Sequence, residues 1–195
     1  MSIPETPDVA GLVTEVLLSA DQLQAKVREL GAQITADYTG RELWLVSILK
    51  GGTFFLVDLA RAIGVPVAID FFGISSYGQD RHSGVVRITK DLDESIEGRD
   101  VLLVEDIVDT GLTLGYIRRA LEARGPASLR TCVLFDRPYR RIVELPVEYR
   151  GFELPDLFVV GYGLDWQQKH RNLPYVGVLN PALFDPSRTR MPWVA

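Results

Sequence analysis

Strand-sized apolar runs alternate with amphipathic helical patterns along most of this chain, and that alternation leaves few folds open. Leu43–Ile48, Val67–Phe72, Val101–Val104, Arg130–Phe135 and Leu157–Val160 read as strands. Ser19 to about Tyr38, Phe54 to Ile63 and Leu114 to Arg124 read as helices. Ser19 with Gln22 matches a capping box, and Leu23, Val27, Leu30 and Ile34 fall on one face of the first helix. Gly64 is expected to close the second helix and Gly125-Pro126 the third. Val101–Val104 lacks polar alternation, as a strand covered on both faces should. The pattern predicts an α/β fold: an open, mainly parallel twisted sheet flanked by helices, in a single domain. Between Phe72 and a further strand at Val85–Ile88 runs a polar stretch, Ser75 to Gly84, whose length suggests a mobile flap. The proline-spaced end, Pro181 to Ala195, is expected to lie over the surface.

Composition narrows the function. A chain of 195 residues buries enough surface to fold without covalent staples. Its only cysteine, Cys132, sits in an apolar run and reads as a buried core thiol. A net charge of −5 argues against a general nucleic-acid binder. Charge is uneven, however: eight acids fall within 91–109 and eight arginines within 118–150, most of which read as solvated faces. Met1-Ser2-Ile3-Pro4-Glu5 has no signal-peptide character and no apolar run is long enough for a membrane, so a cytoplasmic protein is expected.

The chemistry concentrates in Val101-Leu102-Leu103-Val104-Glu105-Asp106-Ile107-Val108-Asp109-Thr110-Gly111-Leu112-Thr113. A buried strand is expected to end at adjacent carboxylates, then a third, then a turn into a helix. Open α/β sheets bind ligands outside the carboxyl ends of their strands, where this segment would lie. Thr110 to Thr113 offers backbone N–H groups and two hydroxyls at a helix N-terminus, a setting suited to a phosphate dianion. Glu105 and Asp106 are acceptors suited to a sugar diol or to metal-bound water, and Asp109 can take a proton from a ring nitrogen. Lys50-Gly51-Gly52, at another strand end, lets amides and an ammonium approach an anion.

Val-Glu-Asp-Ile-Val-Asp-Thr-Gly-Leu-Thr resembles the phosphoribosyl-diphosphate signature of the type I phosphoribosyltransferases, most closely their hypoxanthine–guanine branch. Four more segments match in order, so the resemblance spans about Leu43 to Leu179: Leu49-Lys50-Gly51-Gly52, Ser75-Ser76-Tyr77-Gly78, Phe135-Asp136-Arg137-Pro138, and Pro155 to Trp166 followed by Arg171. It implies transfer of a 5-phosphoribosyl group from phosphoribosyl diphosphate to N9 of hypoxanthine or guanine, with Mg2+, in purine salvage. It also implies a hood from about 1–20 and 166–195 over a core of about 40–165, a homo-oligomer (dimer or tetramer), and neither nucleic-acid nor membrane partners.

Site roles follow from the same resemblance. Thr110, Gly111 and Thr113 hold the 5′-phosphate, while Glu105 and Asp106 meet the ribose hydroxyls or a metal, with Ile107 in the same segment. Lys50, Gly51 and Arg171 meet pyrophosphate, with a cis peptide before Lys50. Ser75 and Tyr77 belong to a catalytic flap, in which His82 reads as solvated. Phe158 stacks on the base, the Val159 backbone reads its edge, Asp165 reaches a metal or the base, and Asp109 is catalytic. Arg137 departs from the family's lysine opposite the 6-oxo group; it remains a donor, though its planar fork changes the contact. Arg140 and Arg141 nearby supply the alternative for this stretch, a solvated basic face. Two other classes fit less well. An RNA-binding regulator needs a broad basic face that the net charge opposes, and a response-receiver domain leaves the Thr-Gly-Leu-Thr turn unexplained.

Overall fold

The computed structural model describes residues 11–76 and 86–183. Its larger sheet has six strands in the order β4-β3-β2-β5-β6-β7. These are β2 (Leu43–Leu49), β3 (Val67–Ser76), β4 (Val86–Lys90), β5 (Asp100–Val108), β6 (Ser128–Asp136) and β7 (Tyr149–Glu153). All neighbours run parallel except β3 and β4. The helices are α1 (Ala20–Asp37), α2 (Gly52–Ala62) and α3 (Leu112–Glu122). Cores lie on both faces of the sheet, one around α1 and α2 and the other around α3. The open, mainly parallel α/β architecture agrees with the sequence reading.

Local signals hold where they act over a few residues. Ser19 Oγ accepts from the Gln22 N–H at 3.3 Å, and Gln22 Oε1 accepts from the Ser19 N–H at 2.8 Å, completing the capping box. Leu23, Val27, Leu30 and Ile34 are buried along α1. Gly31 joins them because α2 comes close: a Cβ there would lie 2.6 Å from the Ala62 Cβ. Cys132 is buried, and burial pushes its thiol up and away from reactivity. Gly64 does not close α2 by a left-handed turn. Ile63, in extended backbone, ends it, and the Gly64 N–H donates to Thr35 Oγ1 at 2.8 Å.

Strand assignment departs from the sequence reading in three places. Leu157–Val160 reads as a strand of the main sheet, yet only Val159–Val160 is one (β8), and it pairs antiparallel with β9 (Val176–Leu179). With β1 (Val13–Leu18) these form a separate three-stranded sheet, order β1-β9-β8, over a small core of Phe158, Val160, Leu173 and Leu179. The main-sheet edge goes instead to β7, whose Tyr-Arg-Gly-Phe-Glu has no apolar run. It needs none, because an edge strand is paired on one side only. Finally, β5 does not stop at Val104 but continues through both acids to Val108. β6 pairs with it to Val108↔Asp136, whereas the β2 ladder ends at Ser47↔Val104.

Tyr77 and His82, assigned to the flap, lie outside the described residues, and of Ser75 the backbone alone is described, in β3. Among the described residues no helix is long and apolar enough to cross a membrane. The close α1–α2 contact makes a test. On an exposed helix face Gly→Ala stabilises; here Gly31→Ala should overpack the contact and lower stability by about 1–3 kcal/mol, read by thermal unfolding.

Candidate active site

Where the β2 ladder ends and β5 runs on, a cleft of about 430 Å³ opens. Its walls include Lys50, Gly51, Glu105, Asp106, Ile107, Asp109, Thr110, Gly111, Thr113, Asp165 and Arg171. Segments more than a hundred residues apart thus meet at the carboxyl ends of the strands, as open α/β sheets require of a ligand site. The sequence reading gave no site role to Ile48, Ile74 and Gln168, which also line it. The first two carry no local signal, being ordinary apolar strand residues.

Glycines permit the closest approaches. The peptide between Leu49 and Lys50 is cis, as the resemblance implied. A Cβ on Gly51 would lie 1.9 Å from Asp106 Oδ2, and one on Gly163 would lie 2.5 Å from the Gly51 carbonyl oxygen. Gly163 has φ +96°, so it combines close contact with backbone that favours glycine. The three layers, Gly163 on Gly51 on Asp106, have no room for side chains. Gly111, at φ +80°, turns β5 into α3, and a Cβ there would meet the Val143 carbonyl at 2.7 Å. The Ile142 and Val143 N–H groups both donate to the Thr110 carbonyl, at 2.8 and 3.1 Å, so the phosphate-type turn is braced by the chain after β6.

The acids are not equivalent. Burial pushes the Glu105 carboxyl well above the ordinary carboxylate range, and the charge of Asp106 and a hydrogen bond to it push the same way. Burial raises Asp106 too, against the Ile107 N–H at 2.8 Å and the charge of Arg171. Burial thus favours holding a proton within the pair. Glu105 Oε2 is buried with no hydrogen-bond partner among the described residues. Two buried acids with an unused oxygen are a donor set that a hard divalent cation fits. Asp165 is differently engaged: Oδ1 pairs with Arg171 Nη2 at 2.6 Å, and Oδ2 accepts from the Gln168 N–H at 2.8 Å. Among the described residues no three His, Cys, Asp or Glu converge as a ready-made metal cage.

Asp109 lies at the end of this row, its side chain 5% exposed. Oδ2 is 3.5 Å from Arg140 Nη1, while Oδ1 is buried with no partner among the described residues. Arg171, beyond its pairing with Asp165, donates through Nη1 to the Gly163 carbonyl at 2.7 Å. This ties the 161–171 segment, where Tyr162, Gln167, Gln168 and His170 all have positive φ, into one wall. Tyr162 Oη fastens that wall to α2 through Asp58 Oδ2 at 2.7 Å.

Arg137, Phe158 and Val159 are not among the cleft-lining residues. Arg137 is fully buried and its Nη2 donates to the Leu157 carbonyl; burial pushes its guanidinium down, against the charge of Asp109. Phe158 is buried edge-to-face against Trp166 at 5.3 Å, and Val159 is buried in β8. Arg140 and Arg141 are not the solvated face that their spacing suggests. Arg141 is 6% exposed and pairs with the buried Asp136 at 2.8 Å, and Arg140 bridges Asp109 and Asp156.

The phosphoribosyl transferase domain family matches residues 15–167. A hypoxanthine-guanine phosphoribosyltransferase of Mycobacterium tuberculosis is 49% identical over 181 residues, covering 89% of this chain and 90% of that one. A hypoxanthine phosphoribosyltransferase of Haemophilus influenzae is 52% identical over 167 residues, covering 84% and 93%. The crystal structure of a hypoxanthine phosphoribosyltransferase from Staphylococcus aureus superposes with a TM-score of 0.87 at 44% identity, covering 93% of this chain and 99% of that one. With likeness this close along nearly the whole length, in sequence and in fold, the chain belongs to the phosphoribosyltransferase family, in its hypoxanthine–guanine branch.

Proposed function

We propose that the protein transfers the 5-phosphoribosyl group of phosphoribosyl diphosphate to N9 of hypoxanthine or guanine, giving the nucleotide and diphosphate in purine salvage. One observation carries the reading: an amide- and hydroxyl-lined turn, a buried acid pair and a glycine–lysine turn line a single cleft. Each suits a different part of that donor. The Thr110–Thr113 turn takes the 5′-phosphate through backbone N–H groups and the start of α3. Glu105 and Asp106 face the ribose diol, and Lys50, Gly51 and Arg171 take the pyrophosphate.

Mg2+ would be held by Glu105 and Asp106, with Asp165 at its margin, and supplies neutralising charge to the diphosphate when bound. The chain's own residues do the rest. Lys50 and Arg171 offset charge that grows on the departing oxygens as the anomeric carbon becomes cationic. Asp109, which lines the cleft, accepts the proton of the purine five-membered ring at N7. Arg137, which feels the charge of Asp109, and Phe158, next to the Leu157 whose carbonyl Arg137 holds, form the base-recognising side, where a donor favours a 6-oxo over a 6-amino group. The β1-β9-β8 lobe acts as the hood.

The same reading makes the protein a cytoplasmic homo-oligomer, a dimer or tetramer. Apolar surface left exposed at Phe54 and Val57 of α2 and Ile69 of β3 supports association.

An absorbance assay of nucleotide formation on hypoxanthine, guanine, xanthine and adenine, with and without Mg2+, tests the function. Oxopurine turnover that requires the metal is expected, and a robust adenine rate would contradict the reading. Asp109→Asn should lower kcat by about 10²–10⁴-fold. A third outcome concerns pH. Folded Glu105 binds its proton more tightly than the unfolded chain does, so ionising it costs stability as pH rises above the ordinary carboxylate range. Glu105→Gln should therefore melt a few degrees above wild type at neutral pH, ~1 kcal/mol being about 2–4 °C at this size. The gap should close toward pH ~4, where the unfolded carboxyl is protonated too. Thermal unfolding across a pH series reads both.

A further inference from the structure

A carboxylate that accepts a proton has two oxygens and a free terminal torsion, so something must decide which oxygen faces the substrate. In this chain the neighbours of Asp109 are unevenly arranged. Its Oδ2 lies 3.5 Å from Arg140 Nη1, whereas its Oδ1 is buried and has no partner among the described residues. Arg140 closes the 3₁₀ turn Pro138–Arg140, and its N–H donates to the Arg137 carbonyl at 2.9 Å. Its second arm, Nη2, pairs with Asp156 Oδ1, two residues before Phe158. The residues just after it hold the Thr110 carbonyl from the other side. One partly buried guanidinium, 25% exposed, thus joins Asp109, the brace of the phosphate-type turn and the segment leading to Phe158. Nothing in the proposed reaction requires an arginine here.

We propose that Arg140 is a positioning residue for the transfer: by reaching Asp109 Oδ2 while anchored on Asp156, it fixes the orientation of the carboxylate that takes the purine proton. This rests on Asp109 being the proton acceptor. The planar fork suits the task, because one guanidinium can address two carboxylates in fixed relative geometry, which an ammonium on a flexible stem does less well. The contact to Asp109 is long for a hydrogen bond, so it orients the carboxylate more than it binds it.

Steady-state kinetics on Arg140→Gln, Arg140→Lys, Asp109→Asn and the Asp109→Asn/Arg140→Gln double variant test the proposal, with thermal unfolding alongside. Arg140→Gln should lower kcat about 10-fold, the scale of one hydrogen bond to a charged group, with the KM for phosphoribosyl diphosphate unchanged. Arg140→Lys should recover part of the loss. Asp156→Asn, which disturbs only the anchor, should lose less than Arg140→Gln. In the Asp109→Asn background Arg140→Gln should cost nothing further, since its only route is through that carboxylate. An unchanged kcat in Arg140→Gln overturns the proposal. So does the same fold-loss with and without Asp109, or a loss confined to KM. Should Arg140→Gln fail to fold, Arg140→Lys takes its place in the double-variant comparison and the same outcomes decide. Near-normal turnover of Asp109→Asn would instead remove Asp109 as the proton acceptor, a separate failure.

Discussion

The site depends on a sheet that comes apart on one side only. β5 keeps β6 as its partner through Val108↔Asp136, but loses β2 after Val104. Backbone groups on the open side are freed from the ladder just where Glu105 and Asp106 stand. Lys50, Gly51 and Gly52 turn away at the same level, and because Gly51 has no side chain its backbone packs directly on the Asp106 carboxylate. The result is a pair of acids removed from water but not walled off from a ligand. Burial raises the proton affinity of both, so ionising them in the folded protein is costly, a cost that a bound cation can offset. Such conflict between stability and ligand affinity is what a binding site on an otherwise consistent fold is expected to carry.

Around that gap, long-range ties hold otherwise independent loops. The Gly163 carbonyl and Asp165 are joined through Arg171, and Tyr162 is fastened to Asp58 on α2. On the other side, Arg141 and Arg150 converge on the buried Asp136 at the end of β6, each at 2.8 Å. A buried carboxylate with two arginines is costly to assemble and costlier to break, so it fixes where the chain leaves β6. That exit sets the path of residues 137–143, which carry Arg137 and Arg140 and brace Thr110. One short segment thereby holds both the Thr110 carbonyl and the Asp109 carboxylate.

Much of this was legible from residue order. The capping box of α1, its buried stripe, the buried thiol and the open α/β class follow from patterns spanning at most a few turns. The acid–turn signature and the Lys50-Gly51-Gly52 turn were equally visible, and the cleft brings them together. Harder to read were strands without a signal of their own. β7 is a strand because β6 offers an edge, and β8 leaves the main sheet because β9, far along the chain, pairs with it. The ion pairs of Arg140 and Arg141 were hidden for the same reason: a charged stretch gives no sign of the distant carboxylates that will meet it.

By itself, then, the order of residues determined the fold class, the helix starts and which side chains carry the chemistry. Those choices are made by interactions between near neighbours, whose geometry the peptide chain fixes in advance. Only the tertiary structure decided where β2 parts from β5, that burial raises the proton affinity of the acid pair, and that Arg140 turns inward to Asp109 rather than out to water. Each of these depends on burial and on groups brought together from distant parts of the chain, and neither can be computed from spacing along it.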